Sequence, residues 1–332
     1  AGSICRPGRE GRSLPMTACE SFRFTAMGTG CELLLHAEGR ETASAAAEAA
    51  IAEVQRIERA YSRYRTDSIV HAINLAGQTG GSIALDAETA GLIGVAVEAY
   101  RLSNGLFDIT SGVLREIWNG QTATLPSDAD VARARARIGL HKVKWKPPVL
   151  SFSQAGMLID FGGIGKEYAA DRAAVICRLH GISHGLVNLG GDIAIAGPNP
   201  DGSPWRIGIS DPRDPRTAVA TLFAAGGGIA TSGGYERYWE IDGRRFAHIL
   251  NPLTGWPVAG FSSVTVSAET CLAAGLYATV AMLKEADGPR WLRENHIAHA
   301  FAEADGSVEL NGMESPRINA GVFQAGRPAL SS

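Results

Sequence analysis

Apolar residues spaced three or four positions apart predict several amphipathic helices along the chain. Within residues 42–61, for example, Ala46, Ala50, Val54 and Ile57 recur at this spacing. The period matches one face of an α-helix, which turns once every ~3.6 residues. The same pattern predicts helices over 86–103, 127–138, 166–180 and 270–283, and a short helix that ends at 291–295.

Shorter apolar runs between turn residues predict strands, several of them paired in hairpins. An Asp-Gly dipeptide separates two such runs, 235–242 and 245–249, and this dipeptide is typical of a tight hairpin turn. A further predicted hairpin over 142–159 is interrupted by Pro147 and Pro148. Other strands are predicted over 22–37, 185–197, 205–210, 218–223 and 264–268, with a last hairpin after the short C-terminal helix.

The order of these elements favours one fold class. Helices and strands do not alternate one for one and hairpins are frequent, so the pattern predicts an α+β fold rather than a doubly wound parallel sheet. No internal repeat or long linker divides the chain. We therefore expect a disordered lead over 1–20, a single domain of two lobes over 21–322, with largely antiparallel sheets and flanking helices, and a tail over 323–332.

Composition excludes several classes of protein. Of the 332 residues, 45% are apolar and 20% are charged, and the formal net charge is −3, so no basic surface for nucleic acid is expected. No run reaches the ~18 apolar residues of a transmembrane segment, and residues 1–20 lack the apolar core of an export signal. The five cysteines are widely spaced without a Cys-x-x-Cys pair, which argues against a disulfide framework or a zinc site.

Glycine is abundant, at 40 of 332 residues, and many glycines are paired beside polar residues. Paired glycines suit sharp turns and places where the backbone approaches a ligand closely. Six short clusters combine such features with side chains that can bind a ligand or take part in catalysis. They are 26–29 (Ala-Met-Gly-Thr), 61–65 (Tyr-Ser-Arg-Tyr-Arg) with Ser68 and Asn74, 105–110 (Gly-Leu-Phe-Asp-Ile-Thr), 160–168 (Asp-Phe-Gly-Gly-Ile-Gly-Lys-Glu-Tyr) with Asp171, 188–192 (Asn-Leu-Gly-Gly-Asp), and 231–233 continuing to 248–255.

Taken singly, these clusters leave alternatives open. A glycine pair precedes the helix that carries Lys166, and helix N-terminal amides together with a lysine favour an anion. A tight turn with a solvated lysine is the alternative. His248 lies in an apolar segment, where it is either a structural residue or a general base. Asp108 and Asp192 follow turns and could simply cap backbone groups.

In their order and spacing, the six clusters together resemble the ApbE family of FAD:protein FMN transferases, over roughly residues 22–310. The resemblance implies an α+β fold with FAD in a cleft between two lobes. It implies Lys166 and His248 as catalytic residues, the first neutralising phosphoryl charge and the second accepting a proton. It also implies Mg²⁺ on the pyrophosphate, held by a backbone oxygen of Gly163 and by Thr279. The positions implied to contact FAD are Met27, Tyr64, Leu106, Phe107, Asp108, Asp160, Lys166, Asp192, Thr231, Ser232 and Ile249.

Two positions depart from the family's pattern, both in segments that the resemblance places at the metal. The family has an aspartate four residues before Thr279, where this chain has Gly275. The family commonly has glycine after Lys166, where this chain has Glu167. We expect Glu167 to replace the missing aspartate by entering the space beside Gly275. Two unrelated substitutions, with Glu167 in solvent, are the alternative.

The resemblance implies that the chain transfers FMN from FAD to a threonine or serine hydroxyl of a target flavoprotein, with Mg²⁺ required and AMP released. The partner would carry a short acceptor threonine motif. Two other functions stay open: an FAD pyrophosphatase that yields FMN and AMP, and a flavin-binding protein without catalysis. The resemblance also implies the periplasmic side of a bacterial membrane, and a cytoplasmic location is the alternative because no export signal is visible.

Overall fold

Fifteen strands and seven α-helices make up the described part of the computed structural model, which covers residues 18–119, 124–211, 213–214, 217–234, 238–241, 243–260, 262–303 and 305–313. The strands are β1 (Ala18–Ala26), β2 (Thr29–Ala37), β3 (Ser82–Ala84), β4 (Val143–Lys146), β5 (Val149–Phe152), β6 (His184–Leu189), β7 (Asp192–Gly197), β8 (Trp205–Ser210), β9 (Ala218–Ala224), β10 (Gly228–Gly233), β11 (Tyr238–Ile241), β12 (Arg244–Ala247), β13 (Ser263–Ala268), β14 (Ala298–Ala302) and β15 (Val308–Asn311). The helices are α1 (Arg40–Tyr61), α2 (Ile69–Thr79), α3 (Ala87–Leu102), α4 (Asp128–Arg135), α5 (Gly165–Leu179), α6 (Cys271–Leu283) and α7 (Gly288–Glu294), with a 3₁₀ helix over Ile109–Glu116.

An eight-stranded antiparallel sheet forms the centre of the fold, in the order β1-β2-β6-β7-β10-β13-β14-β15. Three smaller antiparallel sheets surround it, in the orders β3-β5-β4, β8-β9 and β11-β12. This mixture of helices with antiparallel sheets confirms the predicted α+β class. No helix in the described residues is long and apolar enough to cross a bilayer.

The two faces of the large sheet bury different cores, as strand β2 illustrates. Leu33 and Leu35 belong to the main apolar cluster on the helical face, while Leu34 belongs to a second cluster beneath the β8-β9 hairpin. Successive side chains of a strand point to opposite faces, so three consecutive leucines can serve two cores. The sheet is therefore buried on both sides at its centre.

Small residues let the helices of the main cluster pack closely. Helix α1 turns Ala43, Ala46, Ala47 and Ala50 inward, and it packs against the alanine-rich α5. Helix α5 also packs on β7 and on α6, and α6 lies across β10 and β13. These contacts bring the first turn of α5, the start of β7 and the middle of α6 together.

A third apolar cluster lies apart from the large sheet and supports the β11-β12 hairpin. Trp118, which is fully buried, packs against Trp239, Phe246 and Trp256 with ring centroids 5.3–5.7 Å apart. Its indole N–H donates to the backbone oxygen of Gly255 at 2.9 Å. Aromatic packing of this kind fixes the hairpin and the segment that follows it relative to the 3₁₀ helix.

The predicted helices are confirmed to within a few residues, but several strand predictions need correction. The region 22–37 is two strands, because the chain reverses at Met27. The hairpin predicted over 142–159 ends at Phe152, and Ile159 instead exchanges backbone hydrogen bonds with the side chain of Asn74.

Two further differences concern the ends of elements and one missed helix. Ala18, Cys19 and Glu20, which we expected in a disordered lead, belong to β1 and pair with β2. Helix α2 was not predicted, although Ser68 caps it and Gly80 ends it. The predicted strand over 235–242 lies partly outside the described residues, since 235–237 and 242 are not among them.

Candidate functional site

The N-terminal end of α5 presents an anion-binding arrangement. The helix has 15 residues, and its N-cap residue, Ile164, makes no side-chain hydrogen bond to the first turn. The amides of that turn carry the positive end of the helix dipole. Lys166 lies in the same turn, and its Nζ is 2.8 Å from Oδ2 of the buried Asp192. The amides and the lysine of this first turn both favour an anion at this end of α5.

Asp192 is positioned by a glycine turn between β6 and β7. Gly190 and Gly191 have φ values of 64° and 98°, in the left-handed region that favours glycine. A Cβ at Gly190 would lie 2.3 Å from Oγ1 of Thr29, so only a glycine allows the turn to sit against β2. Asn188 closes the turn by accepting a hydrogen bond from the Gly191 amide at 2.8 Å.

The β1-β2 turn lies at the same end of the large sheet. Met27 sits in this turn with φ of 52°, and its amide donates to Oε1 of Glu58 at 2.6 Å. Since Thr29 lies two residues further on and touches the β6-β7 turn at Gly190, Met27 is brought toward the end of the sheet that holds Asp192. A half-exposed apolar side chain in a strained turn suits contact with a planar ligand.

Glu167 is buried rather than solvated, which rules out the alternative in which its side chain points into solvent. Its side chain fills the space over Gly275: a Cβ built there would lie 2.5 Å from Cγ and 2.9 Å from Oε1 of Glu167. Oε2 is buried without a hydrogen-bond partner in the described part of the chain. Burial raises the pKa of this carboxyl well above its usual range, the negative Asp192 raises the pKa further, and Lys166 opposes both.

Hydroxyl groups line the neighbouring strand and helix. Oγ of Ser232 on β10 lies 3.0 Å from Oγ1 of Thr279 on α6, and Oγ1 of Thr231 lies 2.9 Å from Oγ1 of Thr265 on β13. Thr279 stands one helical turn after Gly275, so both occupy one face of α6. Glu167 and the Thr279 hydroxyl are thus held on the same side of this helix.

The segment 106–108 contributes structure at the base of the site. The ring of the buried Phe107 lies against Gly163, where a Cβ would be 3.3 Å from the ring. Both carboxylate oxygens of Asp108 are used inside the protein: Oδ1 accepts from the Thr110 amide and hydroxyl, and Oδ2 from the Leu140 amide. Burial raises the pKa of Asp108. This carboxylate caps the 3₁₀ helix. Leu106, two residues earlier, is half-buried. Contact of either residue with flavin stays a prediction.

Asp160 and Tyr64 are linked by a residue that was not chosen from the sequence. Arg63 places its Nη1 3.0 Å from Oδ2 of Asp160 and its guanidinium 4.8 Å from the centre of the Tyr64 ring. Tyr64 is 84% exposed, so its ring is free to stack on a ligand. The arginine belongs to one of the six sequence clusters, but a partner 97 residues away leaves no local signal.

His248 and Ile249 follow strand β12 directly. Ala247, the last residue of β12, packs against Gly234 just past the end of β10, where a Cβ would lie 2.9 Å from that of Ala247. This contact brings the half-buried His248 toward the end of β10 that carries Ser232. The Ile249 backbone oxygen accepts from the Val258 amide at 3.0 Å.

One carboxylate missed by sequence reasoning sets the position of α6. Asp171 on α5 accepts from the amides of Cys271 and Leu272, the first two residues of α6, at 2.8 and 2.9 Å. It satisfies two of the helix's unpaired amides and locks α6 to α5. The residue stood in the fourth sequence cluster, and only the fold shows its partner.

The donors present fit Mg²⁺ rather than a softer metal. No group of three or more His, Cys, Asp and Glu side chains is gathered for a metal among the described residues. The available ligands are the buried, unpaired oxygen of Glu167, the Thr279 hydroxyl and backbone oxygens. Mg²⁺ takes oxygen ligands, keeps several waters, and commonly shares its coordination with substrate phosphates.

Comparison with known proteins gives a consistent result. The model of the ApbE family matches residues 27–302. The FAD:protein FMN transferase of Klebsiella pneumoniae is 33% identical over 239 residues, which is 67% of this chain and 66% of that protein. The Escherichia coli K12 protein of the same name is 32% identical over 232 residues, 67% of this chain and 66% of its own length. The chain thus spans about two thirds of these curated relatives.

Solved structures agree over a larger share of the chain. The ApbE protein of Thermotoga maritima superposes with a TM-score of 0.82 and 30% identity, over 89% of this chain and 97% of that one. The flavinyl transferase ApbE of Pseudomonas stutzeri, in its apo form, gives a TM-score of 0.77 and 28% identity, over 88% and 93%. The fold is therefore shared with these proteins over most of the chain.

Proposed function

The chain belongs to the ApbE family, and we propose that it transfers FMN from FAD to a hydroxyl side chain of a target flavoprotein, with AMP as the leaving group. The observation that carries the proposal is the closeness of three features: Lys166 in the uncapped first turn of α5, the Glu167 carboxylate that this turn lays over Gly275 of α6, and the paired hydroxyls of Thr279 and Ser232. Such a point can hold a pyrophosphate beside a second reactant.

In the proposed reaction the acceptor hydroxyl oxygen attacks the phosphorus on the FMN side of the pyrophosphate. A phosphoester bond forms, the bond from that phosphorus to the bridging oxygen breaks, and AMP departs. His248 accepts the hydroxyl proton, and Lys166 binds the phosphoryl oxygens on which charge accumulates. Bound Mg²⁺, held by Glu167, Thr279 and a backbone oxygen of Gly163, would neutralise further charge there.

The remaining side chains bind and orient the flavin nucleotide. Met27 and Tyr64 offer surfaces for the ring system, since one lies half-exposed in a turn and the other is an exposed aromatic. Asp160, held by Arg63, offers acceptors for the nucleotide's hydroxyls and amides.

One set of reactions separates this proposal from its alternatives. The purified chain is mixed with FAD and Mg²⁺, with and without an acceptor flavoprotein that carries a threonine motif. Covalent flavin fluorescence on the acceptor after denaturing electrophoresis is expected, and EDTA should abolish it. AMP and FMN formed equally fast without acceptor would make the chain a pyrophosphatase, and unchanged bound FAD in both samples would make it a flavin-binding protein.

A further inference from the structure

We infer that positions 167 and 275 share a single volume in this fold, and that Glu167, reaching from α5, places in that volume a carboxylate that binds the divalent cation. The inference rests on the proposed function and extends it to the ligand set of this particular chain. It concerns Glu167, Gly275 and Thr279.

The first support is steric. The Cγ of Glu167 lies where a side chain at position 275 would begin, 2.5 Å from a Cβ built on Gly275. Real Cβ atoms do not approach other heavy atoms this closely, and Glu167 is 93% buried (7% exposed), so its side chain has little room to withdraw. A carboxylate at 275 and the glutamate at 167 therefore exclude one another.

The second support is an unmatched oxygen. Oε2 of Glu167 is buried without a hydrogen-bond partner in the described residues. A buried carboxylate oxygen without a partner is costly, and structures that keep one generally hold a cation or a proton there. The Nζ of the neighbouring Lys166 lies 2.8 Å from Oδ2 of Asp192, and no hydrogen bond joins Oε2 of Glu167 to it.

The third support is the position of Thr279 on α6. Thr279 lies one turn after Gly275, about 5–6 Å along the same helix face. Its hydroxyl faces β10, where it meets Ser232 at 3.0 Å. A carboxylate over Gly275 and a hydroxyl at Thr279 thus offer two oxygen ligands from one side, with other positions left to phosphate and water.

The inference is tested by measuring Mg²⁺ binding directly, by calorimetry on the full chain, without nucleotide and with FAD. Glu167→Gln keeps the shape of the side chain and removes its charge, and we expect at least a 10-fold loss of Mg²⁺ affinity with no more than a 2-fold change in FAD affinity measured without metal. Circular dichroism checks that the variant is folded.

A matched pair of double variants tests whether a carboxylate in the shared volume is what binds Mg²⁺. Glu167→Gly with Gly275→Asp moves the carboxylate to α6 and should restore Mg²⁺ affinity to within about 5-fold of wild type. Glu167→Gly with Gly275→Ala fills part of the same space without a carboxylate and should not. Unchanged Mg²⁺ affinity in Glu167→Gln, or equal affinity in the two double variants, would overturn the inference.

These outcomes are distinct from failure of the proposed function. Absence of FAD binding by the wild-type chain would remove the transferase proposal, whereas the metal titration without nucleotide still tests Glu167. Mg²⁺ binding by wild type that Glu167→Gln retains would remove the inference alone. A wild-type chain that binds Mg²⁺ under neither condition would also overturn it.

Discussion

At the scale of single residues, the site depends on charges that are already paired before a substrate arrives. Lys166 contacts Asp192, and Arg63 contacts Asp160, each at about the distance of a charge-assisted hydrogen bond. Such pairs hold long side chains in place, which lowers the entropy that binding would otherwise cost. The arrangement is therefore preorganised for an anionic ligand.

Lys166→Met should weaken FAD binding by about 10- to 100-fold, because the ammonium group that would hydrogen-bond the phosphates is lost and the buried Asp192 loses the cation 2.8 Å from it. Fluorescence titration of FAD measures the change. Lys144→Met, at an exposed position of β4, is the control and should bind normally. Equal affinities for the two variants would leave Lys166 without a role in binding.

His248→Ala should lower the transfer rate by at least about 100-fold while FAD binds with unchanged affinity, since a general base acts on the reaction and not on ground-state binding. Single-turnover flavinylation of an acceptor measures the rate. His180→Ala removes an exposed histidine at the end of α5 and should leave the rate unaltered. A normal rate in His248→Ala would make that residue structural.

How far these residues could be found from sequence depends on the range of their contacts. Periodicity identified α1 and α5, and glycine pairs marked the turns before Lys166 and Asp192, because both signals are local. The partners of Arg63 and Asp171 lie 97 and 100 residues away, and no local pattern encodes them. The β3 strand has only three residues, too few to show a period.

At the scale of elements, the site depends on how closely α6 approaches the sheet. Gly228 begins β10, and a Cβ there would lie 2.1 Å from the backbone nitrogen of Cys271, at the start of α6. Backbone cannot give way as a flexible side chain can. Asp171 holds the same end of α6 from the other side. The strand and α5 together thus fix where Thr279 lies.

Gly228→Ala should destabilise the fold by about 2–3 kcal/mol, because the added methyl group forces β10 and α6 apart. Urea unfolding followed by circular dichroism measures the free energy. Gly226→Ala, two residues earlier with nothing within 4 Å of the new Cβ, should change stability by less than about 0.5 kcal/mol. Similar losses for both would show that the contact with α6 is not the cause of the destabilisation.

At the scale of the whole molecule, one charge network joins three helices of the main layer. Arg56 on α1 donates to Glu53 at 2.8 Å and to Glu88 on α3 at 2.6 Å. Glu88 also accepts from the Tyr168 hydroxyl on α5, at 2.8 Å. Hydrogen bonds from Arg56 are the main cause that lowers the pKa of Glu53 and of Glu88. The network fixes the relative positions of these three helices more specifically than apolar packing alone would.

Arg56→Met should cost about 1–2 kcal/mol of unfolding free energy at pH 7, after allowance for its partial exposure. Because the folded pKa values of Glu53 and Glu88 lie below their usual 4.5, this contribution is present above that pH and is lost as the pH falls below it. Urea unfolding at pH 7 and at pH 3 measures the difference.

The wild type should therefore lose more stability between these two pH values than Arg56→Met does. Arg101→Met, which breaks an exposed pair with Glu98, is the control, and it should cost less than about 0.5 kcal/mol at either pH. A gap between wild type and Arg56→Met that stays constant from pH 7 to pH 3 would contradict this account.

Because the Glu167 side chain overlaps the space over Gly275, substitutions at these two positions are not expected to occur one at a time during evolution. From a chain with aspartate at 275 and glycine at 167, gaining the glutamate first would crowd two carboxylates into one volume. Losing the aspartate first would leave that volume without either. Both single substitutions are disfavoured, so a carboxylate at position 167 should rarely be exchanged for one at position 275 during evolution. The two arrangements should therefore occur in two separate lineages. A tally across relatives should find an acidic residue at 167 or at 275, with a small residue at the other, and almost never both.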